Sequence, residues 1–228
     1  SALGFFWSLL SPLFLIVIYS VFLRLLKVPI ELPVLVSGII IWQFLSLCLG
    51  DSLGAIVGNA NLVTKTAFPR IILPVAMVLA NAINFLLSST VLLAYLLIVK
   101  VTFGPVYLLP VMFLSQLALC LGMALIIASA NVFFRDTEHI LSVVLLAWFF
   151  LSPVVYTVQD VGAIASDWAR LSFLNPMAGI ITGYRAALMS VVHPGWGLLA
   201  GSMLVGWLVL VVGVFIFNRT QARFAEVL

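Results

Sequence analysis

The chain alternates long uncharged apolar runs with short segments that carry its charges. No Asp, Glu, Lys or Arg occurs from Leu32 to Gly50 or from Ile71 to Val99. Only 7% of all residues are charged, whereas soluble domains carry about 25%. Because a soluble surface cannot be built from so few charges, the sequence predicts a polytopic membrane protein. The runs are continuous rather than alternating, which favours helices over a β-barrel.

Six of these runs approach or exceed the roughly 20 helical residues that cross a bilayer. They lie at about 3–23, 33–50, 72–98, 106–130, 140–158 and 196–217. We therefore predict an all-α fold, with one transmembrane domain over residues 1–228. Its six transmembrane helices would place both termini on the same side of the membrane.

Residues 159–195 contain no apolar run of spanning length, since the longest uncharged stretch is Leu171 to Tyr184. Two short helices that meet at Asn175-Pro176 fit this pattern better. They would lie at the interface or dip into the membrane and return, covered by protein. We therefore predict two short helices at the outer surface, between the fifth and sixth spans, with Arg185 outside the membrane.

The connector between the second and third spans is basic and contains prolines. It carries Lys65 and Arg70, and it includes Pro69 and Pro74. Such a connector between two membrane-length runs is typical of a loop at a membrane surface. Because Pro69 lacks an N–H and clashes with the preceding turn, the sequence predicts a short helix, a break and then the third span.

This connector resembles the loop after the second span in permease subunits of type-2 ABC exporters. The matching residues are Asn61, Lys65, Phe68, Pro69, Arg70 and Pro74. Two further segments are similar to the same family: the turn after the fourth span, and Asn175-Pro176. The turn contributes Asn131, Phe134, Arg135 and Asp136. The resemblance is closest to the exporters of O-antigen, capsular or teichoic acid polysaccharides, and it covers nearly the whole chain in order.

The resemblance implies roles for these segments. Residues 51–71 would face a cytoplasmic ATPase, Arg135-Asp136 would form an inner turn, and residues 159–195 would form an outer gate that includes Asn175 and Pro176. In the connector, the implied coupling residues are Asn61, Lys65, Phe68, Pro69 and Arg70. The chain would lie in the bacterial cytoplasmic (inner) membrane, and ATP and Mg would be bound by the partner ATPase. Family members usually begin with an interfacial helix, which we expect to be absent from this sequence or to lie outside it.

The distribution of charge does not choose an orientation. With the termini inside, five Lys and Arg residues fall in inner loops and five in outer loops. The positive-inside rule therefore gives a tie, and the cytoplasmic placement of the termini comes from the resemblance. The net charge of +3 is spread singly over the loops, which indicates contact with membrane lipids rather than nucleic acid.

All acidic and basic residues fall outside the interiors of the predicted spans. A proton-driven carrier is therefore disfavoured, because ion-coupled pumps need an ionisable group inside the membrane. Lys65-Thr66 ends like a P-loop but lacks the required glycines, and His139 and His193 have no partners at metal-ligand spacing. We therefore expect a transport subunit without catalytic, cofactor or metal residues, energised by a separate ATPase. Six helices seldom enclose a wide path, so a homodimer with two ATPase copies is implied.

Aromatic residues near the middle of two spans suggest a path for sugars. Trp42 lies in the second span, and Phe149, Ser152 and Tyr156 would share one face of a helical fifth span. Aromatic faces stack on sugar rings, and hydroxyls bind sugar hydroxyls. Helix packing or lipid contact explains the same residues equally well. For Asn81 in the third span, a hydrogen bond between helices is favoured over a channel wall.

The predicted function is ATP-driven export of a lipid-linked, O-antigen-like polysaccharide. Within transport, the alternatives are permeases for capsular polysaccharide, teichoic acid, a drug or a lipid. From another class, the alternative is an integral-membrane enzyme acting on polyprenyl-linked substrates. That enzyme would need clustered acids or a metal, for which Asp136 and Glu138 are too sparse. A passive channel would need a filter loop or a ring of charges. Cys48 and Cys120 lie in apolar runs and are interpreted as packing residues.

Overall fold

The computed structural model describes residues 2–26, 30–65, 68–134, 136–157, 174–190 and 195–227, and for residues 2–9, 26, 65 and 225 it describes the backbone alone. Every regular element in these ranges is helical, in agreement with the predicted all-α fold. The α-helices are α1 (Ala2–Leu26), α2 (Leu32–Leu53), α3 (Ala60–Lys65), α4 (Ile72–Ile98), α5 (Leu108–Phe133), α6 (Thr137–Leu151), α7 (Pro176–Leu188), α8 (Trp196–Thr220) and α9 (Phe224–Val227). Single 3₁₀ turns, Val57–Asn59 and Gln221–Arg223, precede α3 and α9.

Four helical segments are long and apolar enough to cross a membrane. They are Leu32–Leu53, Ile72–Ile98, Leu108–Phe133 and Trp196–Arg223. Two further apolar stretches, Leu10–Leu25 within α1 and Thr137–Leu151, are shorter. The chain is therefore built as a multi-pass membrane protein, and the count of six crossings stays a prediction.

Helices α5 and α8 pack side by side in parallel, and small residues let their backbones approach closely. Gly206 lies against Ser115, and one heptad further along both helices Gly213 lies against Gly122. A Cβ atom on Gly206 would stand 2.9 Å from the Ser115 carbonyl oxygen. Helix association in membranes depends on such close packing, because lipid tails are as apolar as the helix surfaces they would replace.

Helix α6 ends at Leu151, although the sequence predicts a fifth span that continues to residue 158. Ser152, which precedes Pro153, has φ −98° and ψ 147°, an extended conformation that does not continue a helix. The residue before a proline is pushed out of the helical region by the proline ring, and proline has no N–H for the helical ladder. The break thus follows from Pro153. The prediction of a longer helix relied on the length of the apolar run and did not take this proline into account.

Helix α7 is packed inside the protein. Every side chain from Met177 to Leu188 is buried. Gly183 is pressed against α5, since a Cβ atom there would overlap Sδ of Met112 and stand 2.9 Å from Cγ of the same residue. The second of the two predicted short helices is therefore present and covered by protein, and its position at the outer surface stays a prediction. The first would fall within residues 158–173, which lie outside the described residues.

The end of α7 is fastened to the connector between α4 and α5. The Gly104 N–H donates to the Ala187 carbonyl at 3.0 Å, and the Ser190 N–H donates to the Thr102 carbonyl at 2.8 Å. Just before this connector, Lys100 closes α4 with a left-handed backbone, φ 60°. These bonds fix the end of the bundle opposite to the one that holds the C-terminus.

Candidate functional site

The connector between α2 and α4 folds onto the end of the bundle that holds the C-terminus. There Val63 of α3, Phe217 of α8 and Phe224 of α9 are buried in one apolar group, which we call the end cluster. Its other buried members are Ile56, Leu125, Ala128 and Val132. The end cluster therefore joins the connector to α5 and α8.

Arg70 ties the connector to the C-terminal segment. Its Nη1 donates to the Gln221 carbonyl, and its Nη2 donates to the Val63 carbonyl at 3.3 Å. The resemblance implied that Arg70 is one of the residues that couple the chain to a partner ATPase. In the structure the half-buried guanidinium binds carbonyls of its own chain, so it braces the connector, and contact with an ATPase stays a prediction.

The other predicted coupling residues lie on α3 and in the non-helical break that follows it. Asn61 is exposed on α3, Phe68 is half-buried and Pro69 is exposed in the non-helical break before α4. Lys65 ends α3, but its side chain lies outside the described residues. The predicted order of short helix, break at Pro69 and long helix is therefore confirmed, and the coupling role of these residues stays a prediction.

The turn after α5 is partly described. Arg135 lies outside the described residues, and Asp136 is exposed, with its carbonyl accepting the Ile140 N–H at 3.1 Å. Asn131, which the sequence marked only by resemblance, donates from Nδ2 to the Leu53 carbonyl at 2.9 Å. It thereby satisfies a carbonyl at the end of α2, where the helix itself supplies no donor, and it links α5 to α2.

Trp42 is a packing residue in this structure. It is buried between α2 and α6, with ring centroids 5.8 Å from Trp148 and 5.7 Å from Phe149, both edge to face. Such pairs contribute about 0.5–1.5 kcal/mol each beyond burial of their area. The indole is thus engaged within the chain, and a role for Trp42 in a polysaccharide pathway stays a prediction.

The remaining pathway candidates do not share a helical face, because α6 stops before two of them. Phe149 lies in the last turn of α6, whereas Ser152 and Tyr156 follow its end. Ser152 is fully buried, and the half-buried Tyr156 donates its hydroxyl to the Phe150 carbonyl at 3.3 Å. The predicted stripe is therefore corrected: it required a helix through Pro153, which the proline prevents.

Asn175 uses its whole amide to join α6 to α7. Its Oδ1 accepts the Met177 N–H at 3.0 Å, which caps α7, and the Trp148 Nε1–H at 2.8 Å. Its Nδ2 donates to the Leu151 carbonyl at 3.1 Å and to Ser152 Oγ at 2.9 Å. Asn175 and Pro176 thus start α7 as an N-cap and a first-turn proline, as the sequence predicts for a helix boundary. Their role as an outer gate stays a prediction.

Arg185 is a buried cation that the sequence placed outside the membrane. Its side chain is 1% exposed. Nη1 donates to the Pro153 and Tyr156 carbonyls at 2.6 and 2.8 Å, and Nη2 donates to the Val154 and Val34 carbonyls, both at 2.6 Å. Carbonyl dipoles stabilise the charge, and the guanidinium in turn satisfies the backbone that Pro153 freed from α6.

Asn81 forms the hydrogen bond between helices that the sequence favoured. Its Nδ2 donates at 2.7 Å to the carboxylate of Asp51, and the same group contacts the Met77 carbonyl at 3.1 Å. Asp51 belongs to the last turn of α2 rather than to a loop. Asp51 thus lies at the end of α2 rather than in its interior, and Arg185 lies in the short helix α7.

Known proteins are similar to this chain along its whole length. A family profile described as ABC-2 type transporter matches residues 1–189. Two Klebsiella pneumoniae proteins, both named O-antigen export system permease protein RfbA, are 27% and 28% identical over 233 residues, covering 100% of this chain and 88% of each relative. A Myxococcus xanthus protein with the same name is 33% identical over 242 residues, covering 99% of this chain and 88% of the relative. The chain therefore belongs to the ABC-2 type transporter family.

Proposed function

We propose that the chain is the membrane-spanning permease subunit of an ATP-driven exporter of an O-antigen-like polysaccharide. One observation carries this proposal: three relatives named O-antigen export system permease align with essentially the whole chain. The exported polymer is proposed to be lipid-linked. Capsular polysaccharide and teichoic acid are the alternatives of the same chemical class, and the experiment below distinguishes among these polymers.

A separate cytoplasmic ATPase supplies the energy in this proposal. Membership of the ABC-2 type transporter family supports such a partner, and the sequence contains no P-loop that could bind ATP and Mg. The connector and the end cluster offer the partner a braced surface, because Arg70 and Val63 hold it to the C-terminal segment. The end of the bundle with the C-terminus would then face the cytoplasm.

A homodimer in the bacterial inner membrane completes the proposal. Helix α6 supports it, since Leu141 is the one buried residue of that helix. Its exposed apolar residues are Ile140, Val143, Val144, Leu146, Phe150 and Leu151. A second copy could cover this surface and complete a path too wide for one set of six spans. In this orientation α7 lies towards the outer end, where the proposed gate would be.

Reconstitution of export tests the proposed function. A strain that makes an undecaprenyl-linked O-polysaccharide but lacks its own permease would receive this chain with its cognate ATPase. We expect polymer at the cell surface, detected by antibody on intact cells, only when both proteins are present and the ATPase can hydrolyse ATP. Strains that make capsular polymer or teichoic acid serve as parallel arms. Intracellular retention of the O-polysaccharide, despite normal levels of both proteins, would contradict the proposal.

A further inference from the structure

A cleft of about 210 Å³ between α1, α2 and α4 concentrates polar side chains at membrane depth. It is lined by Ser11, Gln43, Asn81, Asn84 and Ser88, together with the apolar residues Ile40, Phe44, Leu47 and Phe85. Three amides and two hydroxyls thus converge on one small space. None of the predicted pathway residues lines this cleft, and the family match assigns it no role.

The polar residues follow one face of each of two antiparallel helices. On α4, Asn81, Asn84 and Ser88 are spaced three and four apart, and such spacing puts them on the same side. On α2, Gln43 and Asp51 lie two turns apart on one side. The bond from Asn81 to Asp51 joins the two faces near the end that holds the C-terminus. The polar seam therefore runs from that end to the middle of the bundle.

Gln43 shows that this seam does not simply face lipid. It lies in the middle of α2 and is exposed, and within the described residues its amide has no hydrogen-bond partner. A polar amide in hydrocarbon without a partner costs about 4–8 kcal/mol. Polar residues in membrane helices accordingly mark contacts with other helices, water or a polar substrate.

A neighbouring cavity provides the contrast. This cavity of about 380 Å³ lies between α2, α4, α5 and α7, and its lining is almost entirely apolar. Phe85 separates the two spaces and lines both of them. Hydrocarbon chains of lipid suit the larger cavity, whereas the smaller cleft offers donors and acceptors that lipid tails cannot use.

We propose that the cleft between α1, α2 and α4 is a subsite that binds hydroxyl groups of the translocated polysaccharide. This inference rests on the proposed function. An amide such as that of Gln43 both donates and accepts, as does a sugar hydroxyl, so successive residues of a moving polymer exchange bonds with it without a covalent step. Phe44 and Phe85 form an apolar wall of the cleft, against which the C–H face of a sugar ring can pack.

The first test replaces the amide without removing its volume. Gln43→Leu should lower polysaccharide export roughly two- to tenfold, the loss expected for one net hydrogen bond, at unchanged protein level and ATPase co-purification. Gln43→Asn, which keeps the amide, should retain more export than Gln43→Leu. Thr90→Val is the matched control, because Thr90 lines the apolar cavity and bonds its own helix at the Leu87 carbonyl.

The second test asks whether the cleft is wet. In inside-out membrane vesicles, which expose the end of the bundle that holds the C-terminus, Gln43→Cys should react with a charged, membrane-impermeant thiosulfonate. Polymer trapped by an ATPase that cannot hydrolyse ATP should slow that reaction severalfold. Ile83→Cys, one position before Asn84 on α4 and 61% exposed, should not react, because it faces lipid. The native Cys48 and Cys120 are buried, and labelling of the wild-type chain measures their background reaction with the reagent.

Three results would overturn the subsite. Gln43→Leu could export like the wild type, or Gln43→Cys could be as unreactive as Ile83→Cys. Oxidation could also link two copies through Gln43→Cys, which would make the cleft an interface between protomers. Failure of the wild-type chain to export any polysaccharide has a different meaning, because it would overturn the proposed function together with the subsite.

Discussion

Arg185 Nη2 donates to the backbone carbonyl of Val34 at 2.6 Å, across 151 positions of sequence. This bond fastens the buried helix α7 to the first turn of α2. The same guanidinium binds three further carbonyls in the segment that follows α6. One side chain thus holds together three parts of the fold at the end opposite to the C-terminus.

We predict that Arg185→Leu destabilises the protein strongly. The substitution removes the Arg185 donor from the Pro153, Val154 and Tyr156 carbonyls, and each buried unpaired group costs about 1–3 kcal/mol. The Val34 carbonyl keeps the Ser37 hydroxyl as a donor at 3.0 Å. The midpoint of thermal unfolding in detergent should fall accordingly. Arg185→Lys should give an intermediate value, because an ammonium has three donors and no planar fork.

Arg24→Leu is the matched control for this prediction, since Arg24 lies exposed in the last turn of α1. Its unfolding midpoint should stay close to that of the wild type. An Arg185→Leu protein as stable as Arg24→Leu would show that the carbonyl contacts add nothing to stability.

We predict that Asn175→Ala loosens the junction between α6 and α7. It removes the cap of α7, which contributes about 1 kcal/mol, and deprives the Trp148 N–H of its acceptor. Asn175→Asp should be milder, because a carboxylate keeps both acceptor bonds and loses the two donor bonds. Thermal unfolding measures the loss, with Asn61→Ala on the exposed face of α3 as control. Equal stability of Asn175→Ala and Asn61→Ala would refute the assignment.

We predict opposite effects for two glycines of α8. Gly213→Val should separate α5 from α8, because Gly213 lies directly against the backbone of Gly122. Gly201→Ala should be neutral or stabilising by up to about 1 kcal/mol, since alanine favours helix over glycine and its Cβ would meet nothing within 4 Å. Unfolding midpoints of the two variants, measured side by side, check this prediction. A stable Gly213→Val protein would count against close packing of the pair.

We predict that Arg70→Ala frees the connector. Trypsin should then cleave after Lys65 faster than in the wild type, and less ATPase should co-purify. Lys65→Ala alone should be mild, because an exposed ion pair contributes about 0–1 kcal/mol. Lys65→Glu combined with Arg70→Glu should weaken co-purification most, as repulsion replaces attraction. Wild-type cleavage rates and full partner retention in the double variant would rule out a coupling role.

Much of the architecture could be predicted from the sequence, because length and charge dominate in a membrane. The long helices α2, α4, α5 and α8 correspond closely to predicted runs, and the break at Pro69 follows from the chemistry of proline. The start of α7 could be predicted as well, since Asn175 and Pro176 form a common helix-starting pair. These features depend on a residue and its near neighbours in sequence.

The contacts of Arg185 and Trp42 could not be predicted, because they depend on distant residues. A lone arginine beside a short apolar stretch resembles a loop residue, and only folding brings the Val34 carbonyl within 2.6 Å of it. Trp42 in mid-span fits packing and substrate contact equally until Trp148 is placed beside it. The sequence did not single out Gln43 as a candidate site residue for the same reason. The polar seam to which it belongs forms only when α2 and α4 pack together.

Four bonds of Arg185 end on backbone carbonyls, and this has a consequence for how related sequences diverge. A carbonyl is present whatever side chain its residue carries, so positions 34, 154 and 156 can change identity without losing the bond. Among relatives, substitutions at position 185 should therefore show no paired changes at those positions. Methods that infer contacts from correlated substitutions would therefore miss these contacts of Arg185.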